Sequence, residues 1–350
     1  MVKYTYFCRG VKPSVTRKKR IAIIGAGPAG LTAAGFLVCQ GYQVEIYDKL
    51  PLGGGLMSFA IPSWRIKIES VKEGVEDLER NFGVEFHYST KVVCGKRHDE
   101  GDELSKDEMS LADLIEQYDV VLIATGTWGS RKMGIPGEDA EGVDTALNYL
   151  FKIRAHELGY MPEPPAPKRV VVVGGGLSAI DAAEVYLKRG TSEVYLVYRR
   201  TIKYAPAGEN EMKRLSDLGI KVMELTNPTK VLVEDGKVKG VELIKMKLGE
   251  PDSSGRPRPE PIPGSEFTIE TDMFVEAVGE VSTPPIGKGC SDLGIETDRK
   301  GRIKVDDKFR TRNPKVFAAG DVVTGPSLIG NAVKQGLMAA RSIHTVLTSK

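Results

Sequence analysis

The stretch Ile21–Gly30 constrains the fold of this chain more than any other. Four apolar residues run directly into Gly25, Gly27 and Gly30, in G-x-G-x-x-G spacing, and an apolar helical pattern follows. In a strand–turn–helix unit, the first glycine makes the tight turn, the second lets a pyrophosphate approach the backbone, and the third lets the helix pack on the strand. Free N–H groups at the helix start then favour phosphate. The same spacing also opens ordinary turns between a strand and a helix, so this motif alone decides nothing.

A carboxylate at the end of the next predicted strand makes the motif more specific. The stretch Tyr42–Asp48 indicates a strand, because Val44 and Ile46 alternate with polar residues, and Asp48 ends it. A carboxylate roughly 20 residues after the first glycine can accept hydrogen bonds from both hydroxyls of an adenosine ribose. We therefore predict an adenine dinucleotide in this half of the chain. The glycine-rich loop Leu52–Leu56 that follows is either a plain loop or a wrap around a second phosphate or a ring edge.

The opening pattern occurs a second time. An apolar strand, Arg169–Val173, runs into a G-x-G-x-x-A turn that begins at Gly174, and a helical pattern and another strand follow. That second strand ends in Arg199 and Arg200 rather than in an acid. Arginine suits the doubly charged phosphate on the ribose 2′ position, so this copy predicts NADP(H) rather than NAD(H). The alternative is that these are two exposed arginines at a strand end.

The composition excludes several classes of function. The chain has 350 residues, of which 41% are hydrophobic and 27% charged, with a formal net charge of +2. This length predicts two or three domains, and the balanced charge provides no strong field for nucleic acid or an anionic membrane. The four cysteines contain no C-x-x-C, so local spacing predicts neither a redox-active dithiol motif nor a zinc ribbon, and we predict no metal site.

Three features of the sequence predict a cytoplasmic location. Few, scattered cysteines fit a reducing cytosol. The apolar run Ile21–Val38 follows a basic stretch, but its glycines fall in the register of a phosphate turn. No cleavage-site pattern of small residues follows it, which argues against a signal peptide or a transmembrane helix.

Further along the chain, turn signals separate the remaining predicted elements. The polar segment Lys96–Met109 predicts a hairpin tip or loop, and the Pro-rich segment Pro251–Pro263 predicts another loop. The alternating stretch Lys230–Leu248 turns at an Asp-Gly pair, which is a strong hairpin signal. Near the end, a strand in Val316–Asp321 precedes a helix over about Gly330–Leu347.

Taken together, these motifs resemble the small (beta) subunit of NADPH-dependent glutamate synthase and its relatives, which are two-dinucleotide flavoprotein oxidoreductases of the glutathione-reductase-like superfamily. The relatives include the flavin and NADPH modules of dihydropyrimidine dehydrogenase and the larger subunit of the electron-bifurcating NADH-dependent ferredoxin:NADP oxidoreductase. The resemblance covers roughly residues 18–347. It rests on the motifs Gly25–Gly30, Asp48–Leu56, Ile61–Arg65, Ile135–Glu138, Gly174–Asp181, Val197–Arg200 and Phe317–Gly325.

The resemblance implies FAD at the first turn and NADPH at the second. Within the FAD site it implies that Asp48 holds the adenosine ribose, the backbone of Val92 meets the adenine, and Asp321 bonds the ribityl chain. The predicted FAD-binding residues are Gly25, Gly27, Pro28, Ala29, Gly30, Asp48, Lys49, Gly55, Leu56, Arg65, Val92, Thr125, Gly126, Gly320, Asp321, Leu328 and Ile329. The predicted NADPH-binding residues are Gly175, Gly176, Leu177, Ser178, Arg199, Arg200, Ala277, Val278 and Gly279.

The expected architecture is α/β, with two Rossmann-like dinucleotide-binding domains of the three-layer ββα kind. We expect the NADPH domain to be inserted in the FAD domain. The predicted bounds are a basic extension over residues 1–20, a first FAD segment over 21–134, the NAD(P)H domain over 135–280 and a second FAD segment over 281–350. Full-length relatives carry an N-terminal cysteine-rich domain for two iron–sulfur clusters. Only Cys8 precedes the first strand, so we expect that domain to be absent.

The expected activity is hydride transfer from NADPH to FAD, for which the resemblance predicts no catalytic side chain. The electrons then pass to a glutamate synthase large-type subunit or an iron–sulfur electron-transfer subunit. Two alternatives stay open at this stage: a stand-alone NAD(P)H oxidase or reductase of a quinone, dye or sulfur compound, and a non-catalytic FAD-binding redox sensor. The lack of C-x-x-C argues against a thioredoxin reductase. We predict neither nucleic acid nor a membrane as a partner, and a homo-oligomer stays open.

Overall fold

The computed structural model describes residues 15–95, 98–251, 255–287 and 290–349. The chain forms two compact units. The first unit combines the residues up to Gly129 with those from Glu280 onward, and the second unit is the continuous stretch Ser130–Gly279. Residues 1–14 of the predicted basic extension lie outside the described residues. Arg20, at the end of that extension, already begins the first strand.

The helices and strands follow in chain order. The leading segment contains β1 (Arg20–Ile24), α1 (Pro28–Cys39), β2 (Gln43–Tyr47), α2 (Leu56–Phe59), α3 (Ile68–Phe82), β3 (Glu85–His87), β4 (Thr90–Val93), β5 (Asp107–Ser110), α4 (Leu111–Gln117), β6 (Val120–Ile123) and β7 (Gly129–Ser130). The middle segment contains β8 (Val143–Thr145), α5 (Ala146–Glu157), β9 (Arg169–Val173), α6 (Leu177–Lys188), β10 (Glu193–Val197), α7 (Glu209–Asp217), β11 (Lys221–Met223), β12 (Thr226–Glu234), β13 (Lys237–Pro251), β14 (Pro257–Pro261), β15 (Phe267–Glu270) and β16 (Met273–Glu276). The closing segment contains β17 (Glu280–Val281), β18 (Val316–Ala318), α8 (Asp321–Thr324) and α9 (Ile329–Thr348).

The first unit is built on a five-stranded parallel sheet in the order β18-β6-β1-β2-β3. Strand β1 is apolar on both faces. Ile21 and Ile23 pack into the cluster that contains Leu31 of α1, whereas Ala22 and Ile24 pack into the cluster on the opposite face. A central parallel strand is buried on both faces, which explains why its sequence is a continuous apolar run.

The second unit repeats this sheet. Its order is β11-β10-β9-β16-β8, all parallel, so β9 takes the central place that β1 has in the first unit. On one face, Val171 and Val173 of β9 pack into a cluster with Val231, Val241 and Leu243 of the antiparallel sheet formed by β12 to β15. Helix α6 follows β9 and contacts it. The predicted α/β class with two Rossmann-like sheets is confirmed.

Two segments predicted as loops contain strands. Within Lys96–Met109, strand β5 begins at Asp107 and pairs in parallel with β4. Within Pro251–Pro263, strand β14 pairs antiparallel with β13, with Pro257 opposite Pro251. Proline is tolerated on an edge strand because its missing N–H is not needed there, so the high proline content misled the sequence prediction. Residues 96–97 and 252–254 of these segments lie outside the described residues.

The cysteines also require a correction. The sequence predicts scattered thiols, but Cys94 and Cys290 form a disulfide with an S–S distance of 2.07 Å. They are 196 residues apart in sequence, so spacing gave no sign of this pairing. Both residues belong to the first unit, in which the bond joins its leading and closing segments.

Among the described helices, none combines the length and the apolar character that crossing a membrane would need.

Candidate dinucleotide sites

The glycine turn of the first unit leaves open space for a ligand at the start of α1. Gly25 has φ +106°, and a Cβ atom there would lie 2.5 Å from the carbonyl oxygen of Ala124, so only glycine fits. A Cβ atom at Gly27, in contrast, would meet nothing within 4 Å. Pro28 is the first residue of α1, and among the described residues no side chain caps this helix. The N–H groups of the first turn, which includes Ala29, are therefore available to an anion.

Asp48 lies beside this turn and is held by two backbone donors. Its Oδ2 accepts a hydrogen bond from the N–H of Ala26 at 2.5 Å, and its Oδ1 accepts one from the N–H of Leu50 at 2.8 Å. Burial raises the pKa of this carboxyl, and the two backbone donors oppose that shift. Each carboxylate oxygen can accept a second bond. Asp48 is thus fixed in position and still able to accept hydroxyl groups.

A cleft with about 530 Å³ of empty volume opens next to Asp48. Five of the predicted residues line it, namely Gly25, Asp48, Lys49, Val92 and Thr125. An open turn at an uncapped helix start, with a positioned carboxylate beside it on the wall of a cleft, fits an adenine dinucleotide.

A buried ionic cluster on the wall of this cleft was missed in the sequence. The Nζ atom of Lys49 lies 2.9 Å from Asp102 and 4.6 Å from the centre of the Trp128 ring. Lys91 bonds Asp102 as well and lies 3.3 Å from Asp99. Burial lowers the pKa of Lys49. Although burial opposes it, the two lysines hold the pKa of Asp102 below its ordinary value. A lysine followed by two valines in β4 was the one available sequence signal.

The loop that contains Gly55 lies against the same turn. A Cβ atom at Gly55 would come within 3.1 Å of the Cα of Gly27, and the N–H of Gly54 donates to the carbonyl of Ala26 at 2.8 Å. The loop therefore extends the open surface of the turn. Leu56, at the start of α2, is half-buried, and Arg65 is exposed on the segment that follows.

The closing segment brings its predicted residues to the same unit. Asp321 accepts hydrogen bonds from Ser327, at 2.7 Å from the hydroxyl and 3.2 Å from the backbone N–H, and burial raises the pKa of its carboxyl. The N–H of Gly320 donates to Gln335 at 2.9 Å. Ile329 begins α9 and packs against the apolar cluster of Met57, Ile66 and Val71, while Leu328 before it is 64% exposed.

Thr125 and Gly126 are fixed by the closing segment. The hydroxyl of Thr125 donates to the carbonyl of Thr283 at 2.8 Å, and the N–H of Thr283 donates to the carbonyl of Gly126 at 3.2 Å. The loop after β6 is therefore held in place beside the cleft.

The turn of the second unit has the same construction. Gly174 has φ +153°, and a Cβ atom there would lie 2.4 Å from the carbonyl oxygen of Ala277. A Cβ atom at Gly175 would collide with the ring of Tyr198, whereas one at Gly176 would meet nothing within 4 Å. Among the described residues no side chain caps α6, which begins at Leu177 and Ser178. This unit therefore also offers a close backbone approach and an uncapped helix start to an anion.

The two arginines after β10 differ in their surroundings. Arg199 is exposed, while Arg200 is 3% exposed and donates from Nε to the carbonyl of Pro257 at 2.8 Å. The sequence alone predicts the same role for both residues, as ligands of a 2′-phosphate. In the structure Arg200 also anchors strand β14, which the sequence prediction had missed.

The end of β16 places Ala277, Val278 and Gly279 beside the Gly174 turn, since the N–H of Ala277 donates to the carbonyl of Val173 at 2.8 Å. Immediately before them lies a buried carboxyl that the sequence did not single out. Oε1 of Glu276 accepts the N–H of Met133 at 2.9 Å, and its Oε2 has no hydrogen-bond partner among the described residues. Burial is the main reason why the pKa of Glu276 is raised.

Glu276→Gln should relieve this penalty at neutral and alkaline pH. A carboxyl whose pKa is higher in the folded than in the unfolded state stabilises the fold fully below its unfolded value of 4.5, and that contribution is lost as pH rises through the folded value. We expect the variant to exceed the wild type by roughly 1 kcal/mol in free energy of unfolding at pH 8, and the gap to close toward pH 5. Denaturant unfolding at both pH values measures this. A gap independent of pH would contradict the assignment.

Comparison with known proteins identifies the family. Residues 19–336 match the family described as pyridine nucleotide-disulphide oxidoreductase. The NADP(+)-dependent formate dehydrogenase subunit beta of Moorella thermoacetica is 39% identical over 335 residues, which are 95% of this chain but 45% of that protein. The glutamate synthase (NADPH) small chain of Halomonas elongata is 36% identical over 352 residues, which are 97% of this chain and 71% of that protein.

Among solved structures, FprA of Mycobacterium tuberculosis, determined in complex with NADPH, superposes with a TM-score of 0.76. The match covers 95% of this chain and 85% of that one, at 21% sequence identity, and supports the fold. The resemblance to glutamate synthase small subunits that the motifs indicated is confirmed. The chain therefore belongs to the pyridine nucleotide-disulphide oxidoreductase family, and within it is related to the glutamate synthase small chains.

Proposed function

We propose that this protein is an NADPH-dependent FAD oxidoreductase, with FAD bound in the first unit and NADPH in the second. One observation carries the proposal: two turns of the same construction have opposite charges at the end of the following strand. The first has the buried carboxylate of Asp48, and the second has the exposed guanidinium of Arg199. A carboxylate accepts ribose hydroxyls and repels a 2′-phosphate, whereas an arginine fork binds that phosphate.

When bound, the flavin and the nicotinamide supply the hydride transfer. The residues of this chain bind and orient the two cofactors. In the first unit, Asp48 holds the adenosine ribose and the N–H groups of Gly27, Ala29 and Gly30 hold the pyrophosphate. Asp321 accepts a hydroxyl of the ribityl chain. Helix α9 begins near the flavin end with no acidic residue in its first turn, so its N-terminus favours negative charge on the ligand.

In the second unit, the turn from Gly175 to Ser178 holds the NADPH pyrophosphate and Arg199 reads the 2′-phosphate. Ala277, Val278 and Gly279 line the nicotinamide side. No acid, base or nucleophile is assigned a chemical role, because positioning the two cofactors suffices for this transfer.

The electrons leave the flavin for a partner subunit in this proposal. The chain spans 45% of the Moorella relative and 71% of the Halomonas relative, and both are named as parts of larger enzymes, a subunit and a small chain. A glutamate synthase large-type or iron–sulfur subunit would supply the acceptor. We place the complex in the cytoplasm. The Cys94–Cys290 disulfide argues against a reducing compartment, but Cys290 is 3% exposed and thus shielded from soluble thiols.

Arg199→Ala should weaken the use of NADPH by the protein and leave its use of NADH nearly unchanged. We expect the wild-type holoprotein to be yellow and to be bleached anaerobically by NADPH. In the variant, the KM for NADPH should rise about 10- to 100-fold, since a charge-assisted contact is lost, while the KM for NADH should stay within about twofold. Stopped-flow measurement of flavin reduction with each nucleotide tests this. Lys239→Ala, an exposed cation on β13 of the same unit, is the matched control and should change neither KM.

Three results would contradict the proposal. If Arg199→Ala raised the KM for NADPH and the KM for NADH equally, Arg199 would not be the residue that binds the 2′-phosphate. A yellow protein that NADPH does not bleach would favour the non-catalytic sensor. Rapid turnover with oxygen or a quinone, without any partner, would favour the stand-alone oxidase or reductase.

A further inference from the structure

The hairpin of β13 and β14 approaches the ribose end of the second dinucleotide site. Its strands pair with Leu248 opposite Pro259 and Pro251 opposite Pro257. The contact that ties it to the site is the hydrogen bond from Nε of Arg200 to the carbonyl of Pro257, at 2.8 Å. Because Arg200 is 3% exposed, this bond is sheltered from water and fixes the start of β14 next to the end of β10.

Arg256 is the residue immediately before Pro257. Consecutive Cα atoms are about 3.8 Å apart, so the anchored carbonyl brings the backbones of both neighbours of Pro257, Arg256 and Arg258, near the side chain of Arg200. Arg256 is half-buried, whereas Arg258, on the other side of Pro257, is exposed. Of the two arginines on the hairpin, Arg256 is thus the one held against the unit.

The anchor also limits what Arg200 itself can offer to a ligand. A guanidinium carries five N–H donors in a fixed fork, and the Nε donor of Arg200 is used by the backbone. A side-on pair of contacts that needs Nε is therefore blocked at Arg200. A phosphate on the ribose has three strong acceptor oxygens, more than the exposed Arg199 alone can saturate.

We propose that Arg256 is a further specificity-determining residue of this site, which contacts the 2′-phosphate of NADPH together with Arg199. The inference rests on the proposed function, because it assigns a residue to the same phosphate. Arg200 holds the hairpin in place, and the hairpin carries a second guanidinium, that of the half-buried Arg256, to the ribose. Selection for NADPH then depends on a strand far away in sequence, as well as on the arginine pair that follows β10.

Arg256→Gln and its neighbour Arg258→Gln form a matched pair for the test. The probes are 2′,5′-ADP and 5′-AMP, which differ in the 2′-phosphate, with binding to the FAD-loaded protein measured by calorimetry. We expect Arg256→Gln to weaken binding of 2′,5′-ADP about tenfold and to leave 5′-AMP unchanged, the size expected for one charge-assisted contact. Arg258→Gln should change neither. In steady-state kinetics, Arg256→Gln should raise the KM for NADPH but not for NADH.

The outcomes separate this inference from the proposed function. If the wild type binds 2′,5′-ADP no better than 5′-AMP, the NADPH assignment itself fails. If Arg199→Ala removes the preference while Arg256→Gln keeps it, the proposed function stands and the role of Arg256 is refuted. Equal weakening of both probes by Arg256→Gln would also overturn the inference, because it would indicate a general disturbance of the hairpin.

Discussion

Asp48→Ala is expected to yield a colourless protein that has lost its flavin. The wild-type carboxylate accepts the N–H groups of Ala26 and Leu50 and, in the proposed complex, the hydroxyls of the adenosine ribose. Truncation removes the ribose contacts and leaves two buried donors without an acceptor, each at a cost of about 1–3 kcal/mol. We expect the Kd for FAD to rise at least 100-fold, which corresponds to roughly 2.7 kcal/mol. Flavin absorbance per protein after gel filtration, and calorimetric titration with FAD, measure the loss.

Two further variants keep this test decisive. Asp107→Ala removes an exposed carboxylate from β5 of the same unit and should retain full flavin content. Asp48→Asn keeps an acceptor for one of the two backbone donors, so it should fold even if Asp48→Ala does not, and should still bind FAD more weakly than the wild type. Stoichiometric, tightly bound FAD in a folded Asp48→Ala protein would remove this residue from the ribose site.

Cys94→Ser is expected to produce a large loss of stability. The disulfide with Cys290 closes a loop with a sequence separation of 196 residues. By the loop-closure model, losing such a cross-link costs about 3–5 kcal/mol. The midpoint of thermal unfolding of the holoprotein should fall by roughly 5–15 °C. Scanning calorimetry measures this, with transitions assigned separately if the two units unfold apart.

The partner cysteine supplies the control. Cys290→Ser should lower the midpoint by the same amount as Cys94→Ser, and the double variant should resemble either single one, because all three lack one bond. We also expect the wall of the cleft to become less ordered, because Cys94 is hydrogen-bonded to the segment that leads to Cys290. The N–H of Cys94 donates to the carbonyl of Pro285, and the N–H of Gly287 donates to the carbonyl of Cys94. Unchanged midpoints, or losses that add in the double variant, would show that the bond does not stabilise the fold.

The features predicted well from the sequence are those set by local spacing. The apolar run into Gly25 determines a buried central strand, an obligatory glycine turn and a helix start within ten residues. The repeat at Gly174 does the same. Asp48 could be predicted as a site residue because it follows β2, the parallel neighbour of β1. The carboxyl ends of parallel strands lie at the same edge of the sheet, so Asp48 lies beside the turn that follows β1. The ligand roles of these residues stay predictions, which the Asp48 and Arg199 variants test.

The features that were missed depend on contacts between distant segments. Lys91 and Asp102 are 11 residues apart in sequence, and only the folded β4–β5 region brings them together beside Lys49, which also contacts Asp102. The disulfide joins residues from the two segments on either side of the inserted unit. Strand β14 escaped detection because its prolines normally indicate a loop, and its position at a sheet edge is a property of the tertiary fold. The separate roles of Arg199 and Arg200 follow from that same strand.

The order of strands in the two sheets has a consequence for biosynthesis. Every strand of the second sheet lies within Ser130–Gly279, so this unit can complete its core as soon as that stretch has left the ribosome. The first sheet must wait for β18, at Val316–Ala318, to cover the edge of β6. Until then, an apolar strand edge stays exposed to aggregation. During translation, chaperones should therefore be needed mainly by the first unit, because its sheet begins to form first and is completed last.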